Sequence, residues 1–129
     1  MTISFRLLFG AIFLLFACST DTQHSSTAES ADGKIAIPSF NQLLAETKQP
    51  QLIDVRTPSE FSNGHLAGAV NINFNDASFD NQIEQLDKTQ PVFIYCQSGG
   101  RSGKAYKKMK SMGFETVYDM EGGYRAFSK

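Results

Sequence analysis

The run Pro91-Val92-Phe93-Ile94-Tyr95 is the most hydrophobic of the chain from residue 34 onward, and together with the residues after it narrows the choice of fold more than any other feature. A run this short suits a strand buried on both faces better than a helix. Gly99 and Gly100 then interrupt regular structure, and Ala105, Met109 and Met112 recur at helical spacing until Gly113. A buried strand, a tight glycine-rich loop and a helix, in that order, form the repeating unit of an α/β fold with a largely parallel sheet.

The sequence before and after keeps this alternation. Ile35-Ala36-Ile37 reads as a brief edge strand stopped by Pro38, with Ser39 as N-cap of a helix through about Thr47 that turns Phe40, Leu43 and Leu44 inward. Gln51–Val55 reads as a buried strand. Thr57-Pro58-Ser59-Glu60 holds the N-cap, the N1 proline and the capping-box acid of a short helix ended by Gly64. Val70-Asn71-Ile72 forms a third strand, residues 78–87 a helix using Phe79, Ile83 and Leu86, and Thr116-Val117-Tyr118 a last strand before a closing helical stretch from Gly122 to Phe127. The expected architecture is α/β, a mostly parallel five-stranded sheet with helices on both faces. With 129 residues and 41% hydrophobic content, one such domain forms its core without disulfides or metal.

The first 17 residues stand apart. Leu7 to Ala17 is an apolar run behind the single Arg6, the length of a signal-peptide core and too short to span a bilayer. It ends Leu15-Phe16-Ala17-Cys18, which resembles the lipobox of bacterial lipoproteins and implies cleavage before Cys18 and acylation of that cysteine. Residues 19–33 contain no large apolar side chain and read as a flexible tether with a reach on the order of 20 Å. The expected division is therefore a signal peptide over 1–17, a lipidated cysteine and tether over 18–33, and one domain over 34–129, anchored at the cell envelope through its N-terminal lipid. Without the signal peptide, 11 basic residues face 13 acidic ones, a balance with no nucleic-acid footprint. His24 in the tether has no neighbouring ligand for a metal.

Cys96 is left without a partner once Cys18 is acylated. A lone cysteine is either an inert packing residue or a reactive thiol, and its surroundings decide between them. In a parallel sheet, ligands bind beyond the carboxyl ends of the strands, where helix N-termini also point, and Cys96 falls at that edge. A helix starting near Ser102 supplies a dipole and free amides, while Arg101 supplies a permanent positive charge. Both favour the thiolate. Gly99 and Gly100 allow the loop amides of Gln97 to Ser102 to turn toward one sulfur, forming a cradle for a small anion.

The segment Cys96-Gln97-Ser98-Gly99-Gly100-Arg101-Ser102 resembles the rhodanese active-site loop, Cys-x-x-Gly-x-Arg-Ser. Asp54-Val55-Arg56 with Glu60-Phe61, the stretch Gly64-His65-Leu66-Ala67-Gly68-Ala69-Val70-Asn71-Ile72, and Glu121-Gly122-Gly123 are similar to further signatures of that family in their usual order. The resemblance covers residues 35–129. It departs at Ala67, where the family usually has proline, and at Phe127, where tryptophan is frequent. It implies a sulfurtransferase in which Cys96 takes a sulfane sulfur, becomes a persulfide and passes the outer sulfur to cyanide or a thiol. Arg101 would stabilise the anionic sulfur and Gln97, Ser98, Gly99, Gly100 and Ser102 would bind the substrate. The partners would be a small sulfur-containing anion or thiol, with no metal or organic cofactor.

Asp54 and Arg56 line the pocket mouth or brace the loops through an ion pair, the second reading being favoured, and His65 is read as a turn-stabilising residue rather than a base. Lys104, Lys107, Lys108 and Lys110 fall mostly on the outward helix face. Two rival functions are set against sulfur transfer. Cysteine phosphatases and arsenate reductases resemble Cys-x5-Arg, and the four residues between Cys96 and Arg101 leave less room for a tetrahedral oxyanion. A non-catalytic module that carries a persulfide or binds a partner shares the whole loop.

Overall fold

The structure, a computed structural model, describes residues 32–129; the expected signal peptide, Cys18, His24 and nearly all of the tether lie outside them. Its strands are β1 (Gly33–Ile35), β2 (Gln51–Asp54), β3 (Val70–Asn71), β4 (Val92–Tyr95) and β5 (Val117–Met120), and its helices α1 (Ile37–Glu46), α2 (Pro58–Ser62), α3 (Phe79–Ile83), α4 (Gly100–Ser111) and α5 (Gly123–Phe127). The strands form a single sheet ordered β1-β5-β4-β2-β3, and every pairing is parallel. The five-stranded α/β architecture read from the sequence is the one observed.

The apolar run forms the centre of the sheet. Val92, Phe93, Ile94 and Tyr95 of β4 are fully buried, because successive side chains point to opposite faces and both faces are covered. On one face Val92, Ile94 and Cys96 pack with Ile53, Val117, Phe79 and Ile83 of α3, and Ala105 and Met109 of α4. On the other, Phe93 and Tyr95 pack with Leu52, Met120 and Phe40 of α1. The Phe40 and Phe93 rings meet edge to face at 5.4 Å between centroids.

Several element boundaries differ from those expected. The first strand lies two residues earlier, so Gly33, assigned to the tether, already belongs to the sheet. Pro38 stops no strand but occupies the first turn of α1, where its missing N–H costs nothing; Ala36, not Ser39, is the N-cap, and no side chain caps the helix. Helix α3 covers only five residues because the chain is tied down after it: Gln51 accepts from the Asp87 amide at 2.7 Å and donates to the Asp87 carbonyl at 2.9 Å. The last strand extends to Met120, beyond Tyr118.

Local signals that need no distant partner appear in full. Thr57 caps α2 in a capping box: its hydroxyl accepts from the Glu60 amide at 3.3 Å, and the Glu60 carboxylate accepts from the Thr57 amide at 3.0 Å. Asp32 closes the other end of the domain. Its carboxylate accepts from the Val117 amide at 2.6 Å and pairs with Lys110 Nζ at 2.7 Å, fixing where the chain enters β1.

Candidate active site

Cys96 is the first residue after β4 and is a free thiol. The loop leading from it into α4 turns sharply back over it. Its Sγ accepts from the Gly99 amide at 3.0 Å and from the Ser102 hydroxyl at 3.4 Å. Gly99 adopts φ 104°, a left-handed conformation that favours glycine, and is itself the N-cap of α4. The helix thus starts at Gly100 rather than near Ser102. Ser102 is left in the first turn, fully buried, with its hydroxyl spent on sulfur instead of on a cap. Gly100 has an ordinary backbone and open space where a Cβ would stand, so the steric need expected of both glycines rests on Gly99 alone.

Burial pushes the Cys96 thiol up, but hydrogen bonds from the Ser102 hydroxyl and from the amides of Ser102, Ser98 and Gly99 outweigh it and leave the thiol below its ordinary value. These donors all lie at the N-terminal end of α4, where the helix dipole adds to them. The arrangement favours a thiolate held by main-chain and hydroxyl donors.

Arg101 is oriented differently from the sequence-based expectation of a guanidinium aimed at sulfur. Nη1 and Nη2 are both taken by Glu60, at 2.6 and 2.8 Å, in a bidentate pair. The guanidinium is still near enough to Cys96 for a thiolate there to favour its charged form. Glu60 therefore performs two tasks: it closes the capping box of α2 and holds Arg101 in the first turn of α4. The sequence showed only the first, because the second partner lies 41 residues away.

Asp54 and Arg56 form a buried ion pair at 2.6 Å, 0% and 2% exposed respectively. Arg56 also donates to the Gly64 carbonyl at 2.7 Å and to Gln97 Oε1 at 3.0 Å, and its guanidinium lies over the Tyr124 ring at 4.2 Å. One cation thus joins the end of β2, the turn after α2 and the residue next to Cys96. A second support comes from the start of α5. The Tyr124 and Arg125 amides donate to the carbonyls of Cys96 at 2.8 Å and Gln97 at 3.0 Å. No local sequence pattern pointed to this clamp beyond the Gly122-Gly123 turn. A depression of about 490 Å³ opens beside the loop, lined by Arg56, Glu60, Asn63, Gln97, Tyr124 and Arg125 among others.

His65 makes its contacts with α2. Its Nδ1 is 2.9 Å from the Phe61 carbonyl and its ring stacks on Phe61 at 3.7 Å, a contact that secures the turn. Lys108 pairs with Asp80 at 2.5 Å, while Lys104 and Lys107 are exposed.

The Glu60–Arg101 pair carries a pH signature. The hydrogen bonds from Arg101, reinforced by those from Thr57, hold the Glu60 carboxyl at about 2 against an ordinary value of 4.5. A depressed carboxyl contributes stability that is complete above its unfolded value and lost as pH falls through the folded one. In denaturant melts at stepped pH, wild type should exceed Glu60→Gln by about 1 kcal/mol at neutral pH. That margin should shrink between 4.5 and about 2. A margin that does not change over this window would exclude the pair as its source.

Comparison with known proteins places residues 38–129 within the family model described as the Rhodanese-like domain. The chain is 35% identical over 91 residues to the thiosulfate sulfurtransferase GlpE of Shewanella oneidensis, a match covering 69% of this chain and 88% of that protein. It is 38% identical over 84 residues to the uncharacterized protein YqhL of Bacillus subtilis, covering 65% of each. Among solved structures, a rhodanese-like domain protein from Staphylococcus aureus superposes with a TM-score of 0.66 at 26% identity, over 74% of this chain and 90% of that one.

Proposed function

The chain belongs to the rhodanese-like domain family, and from that premise we propose that it is a sulfurtransferase working through a persulfide on Cys96. The observation that carries this reading is the Cys96 sulfur itself, a free thiol held below its ordinary pKa by the Gly99 amide and the Ser102 hydroxyl. With thiosulfate, the Cys96 thiolate attacks the outer sulfur; the donor's S–S bond breaks, sulfite leaves with the electron pair, and a Cys96 persulfide anion remains. Negative charge is conserved in this step and moves outward by one sulfur atom, so donors arranged around the loop stabilise both reactant and product. An acceptor such as cyanide then takes the outer sulfur and regenerates the thiolate. The loop amides and the nearby Arg101 charge bind the anionic sulfur in this scheme, with Glu60 holding the arginine in register.

Two further elements belong to the proposal. The lipobox-like sequence ending at Cys18 supports export and lipid anchoring of the domain at the bacterial cell envelope. The burial of Cys96, 1% exposed, favours small donors that present a terminal sulfur, and it also supports a second reading in which the domain stores and hands on a persulfide without rapid turnover of free acceptors.

One experiment separates these readings. The full chain is incubated with thiosulfate, its intact mass is measured for one added sulfur atom, and thiocyanate release is followed after addition of cyanide. Loading and turnover are expected for wild type, with turnover in Cys96→Ser reduced by at least about 10³-fold. Loading without turnover selects the carrier, and absence of loading from any sulfane donor removes both.

A further inference from the structure

Beneath the first turn of α4 lies a buried acid that sulfur transfer at Cys96 does not use. Asp119 sits in β5, 2% exposed, paired in register with apolar Ile94 of β4 on one side and Lys34 of β1 on the other. It occupies the same sheet face as Val117, Ile94 and Cys96, the face covered by α4. Its Oδ2 lies 3.9 Å from where a Cβ on Gly103 would stand, and its carboxyl faces the Ser102 hydroxyl. Asp119 Oδ1 has no hydrogen-bond partner among the described residues, and it is the one buried side-chain oxygen or nitrogen among them in that position.

An ionised carboxylate with an unpartnered oxygen in an apolar layer is costly, whereas a neutral acid is far less so. Burial does push the Asp119 carboxyl up, against the lowering effects of Ser102 and Lys34. Ser102 has one hydroxyl hydrogen and two acceptor sites. Its hydrogen can go to Cys96 Sγ or to the Asp119 carboxylate, not to both. When Asp119 carries its proton, it can donate to Ser102 Oγ, and the Ser102 hydrogen is directed to sulfur. When Asp119 ionises, it competes for that hydrogen and adds a negative charge behind the site.

We propose that Asp119 is a positioning residue for Cys96: in its protonated form it donates to the Ser102 hydroxyl and so commits that hydroxyl to the thiolate. This deepens the sulfurtransferase reading and rests on Cys96 being the reacting thiol. The titratable and charged groups facing Asp119 are Lys34 from β1 and, through Ser102 of α4, Cys96 at the end of β4; Ile94 contributes no charge. Asp119 and Cys96 then titrate as a coupled pair.

The test is thiolate formation on the full chain, followed by ultraviolet absorbance and by iodoacetamide alkylation across pH. For wild type, the Cys96 titration should be broader than a single-proton curve. Asp119→Asn, which retains a donor for Ser102 and cannot ionise, should reduce it to one proton and move its midpoint down by about one pH unit, tenfold in thiolate population. In a Ser102→Ala background, Asp119→Asn should shift the midpoint clearly less, since only the effect of its charge then remains and the hydroxyl relay is gone. An Asp119→Asn curve that superimposes on wild type, or an equal effect with and without Ser102, overturns the proposal. Because alkylation needs no sulfur donor, failure of Cys96 to accept sulfur from thiosulfate would count against the functional reading alone and leave this result legible.

Discussion

Asp54→Ala should lower stability by about 3–5 kcal/mol, the largest loss expected of any single side chain in the domain, because it strands a buried cation. Asp54 accepts from Arg56 Nε at 3.0 Å, from Arg56 Nη2 at 2.6 Å and from the Arg56 amide at 2.9 Å. Without it the guanidinium, 2% exposed, keeps the Gly64 carbonyl, the Gln97 side chain and the Tyr124 ring but no counter-charge. Removing both partners together, as in Asp54→Leu with Arg56→Met, should cost less than Asp54→Ala alone, since no charge is then left buried. Denaturant melts of the two variants check this. Equal losses would mean that the pair acts through packing and not through charge.

Gly123→Ala should produce the second large effect, and for a different reason. A Cβ at residue 123 would stand 2.5 Å from the Cys96 carbonyl oxygen and 2.7 Å from the Gln97 carbonyl carbon, both backbone atoms with nowhere to go. The residue also has φ 64°, so left-handed strain adds to the collision, and the combined cost should be about 2–4 kcal/mol. Gly99→Ala isolates the strain, because φ there is 104° and nothing lies within 4 Å of the added carbon; it should cost about 1–2 kcal/mol. Thermal melts of both rank the two contributions. Gly123→Ala should further depress the rate of Cys96 alkylation, since the displaced backbone is the one that carries the sulfur. Equal melting temperatures for the two variants would refute the collision.

Asp54 and Gly123 also mark the border between what could and could not be read from the chain alone. The central strand, the capping box at Thr57 and the glycine-rich turn after Cys96 are local patterns, carried by residues within a few positions of one another; the first two appear where expected, and the turn leads into its helix two residues early. Boundaries proved less legible where one residue type serves two purposes. Pro38 suits both the end of a strand and the first turn of a helix, and Ser102 suits both an N-cap and a hydroxyl donor to sulfur. The tertiary environment chose the second use in each case. What lay beyond local reading were the pairings across the sheet: Glu60 with Arg101, Arg56 with Gln97, and the α5 amides with the carbonyls of Cys96 and Gln97. Each brings together segments distant in sequence, and each bears on the loop that holds the thiol.

All five strands run the same way, so Cys96, beyond the end of β4, and Gly33, at the beginning of β1, sit at opposite poles of the domain. Asp32 pins the entering chain at the lower pole through the Val117 amide and Lys110. Residues 1–31 therefore join the domain at the pole remote from the thiol.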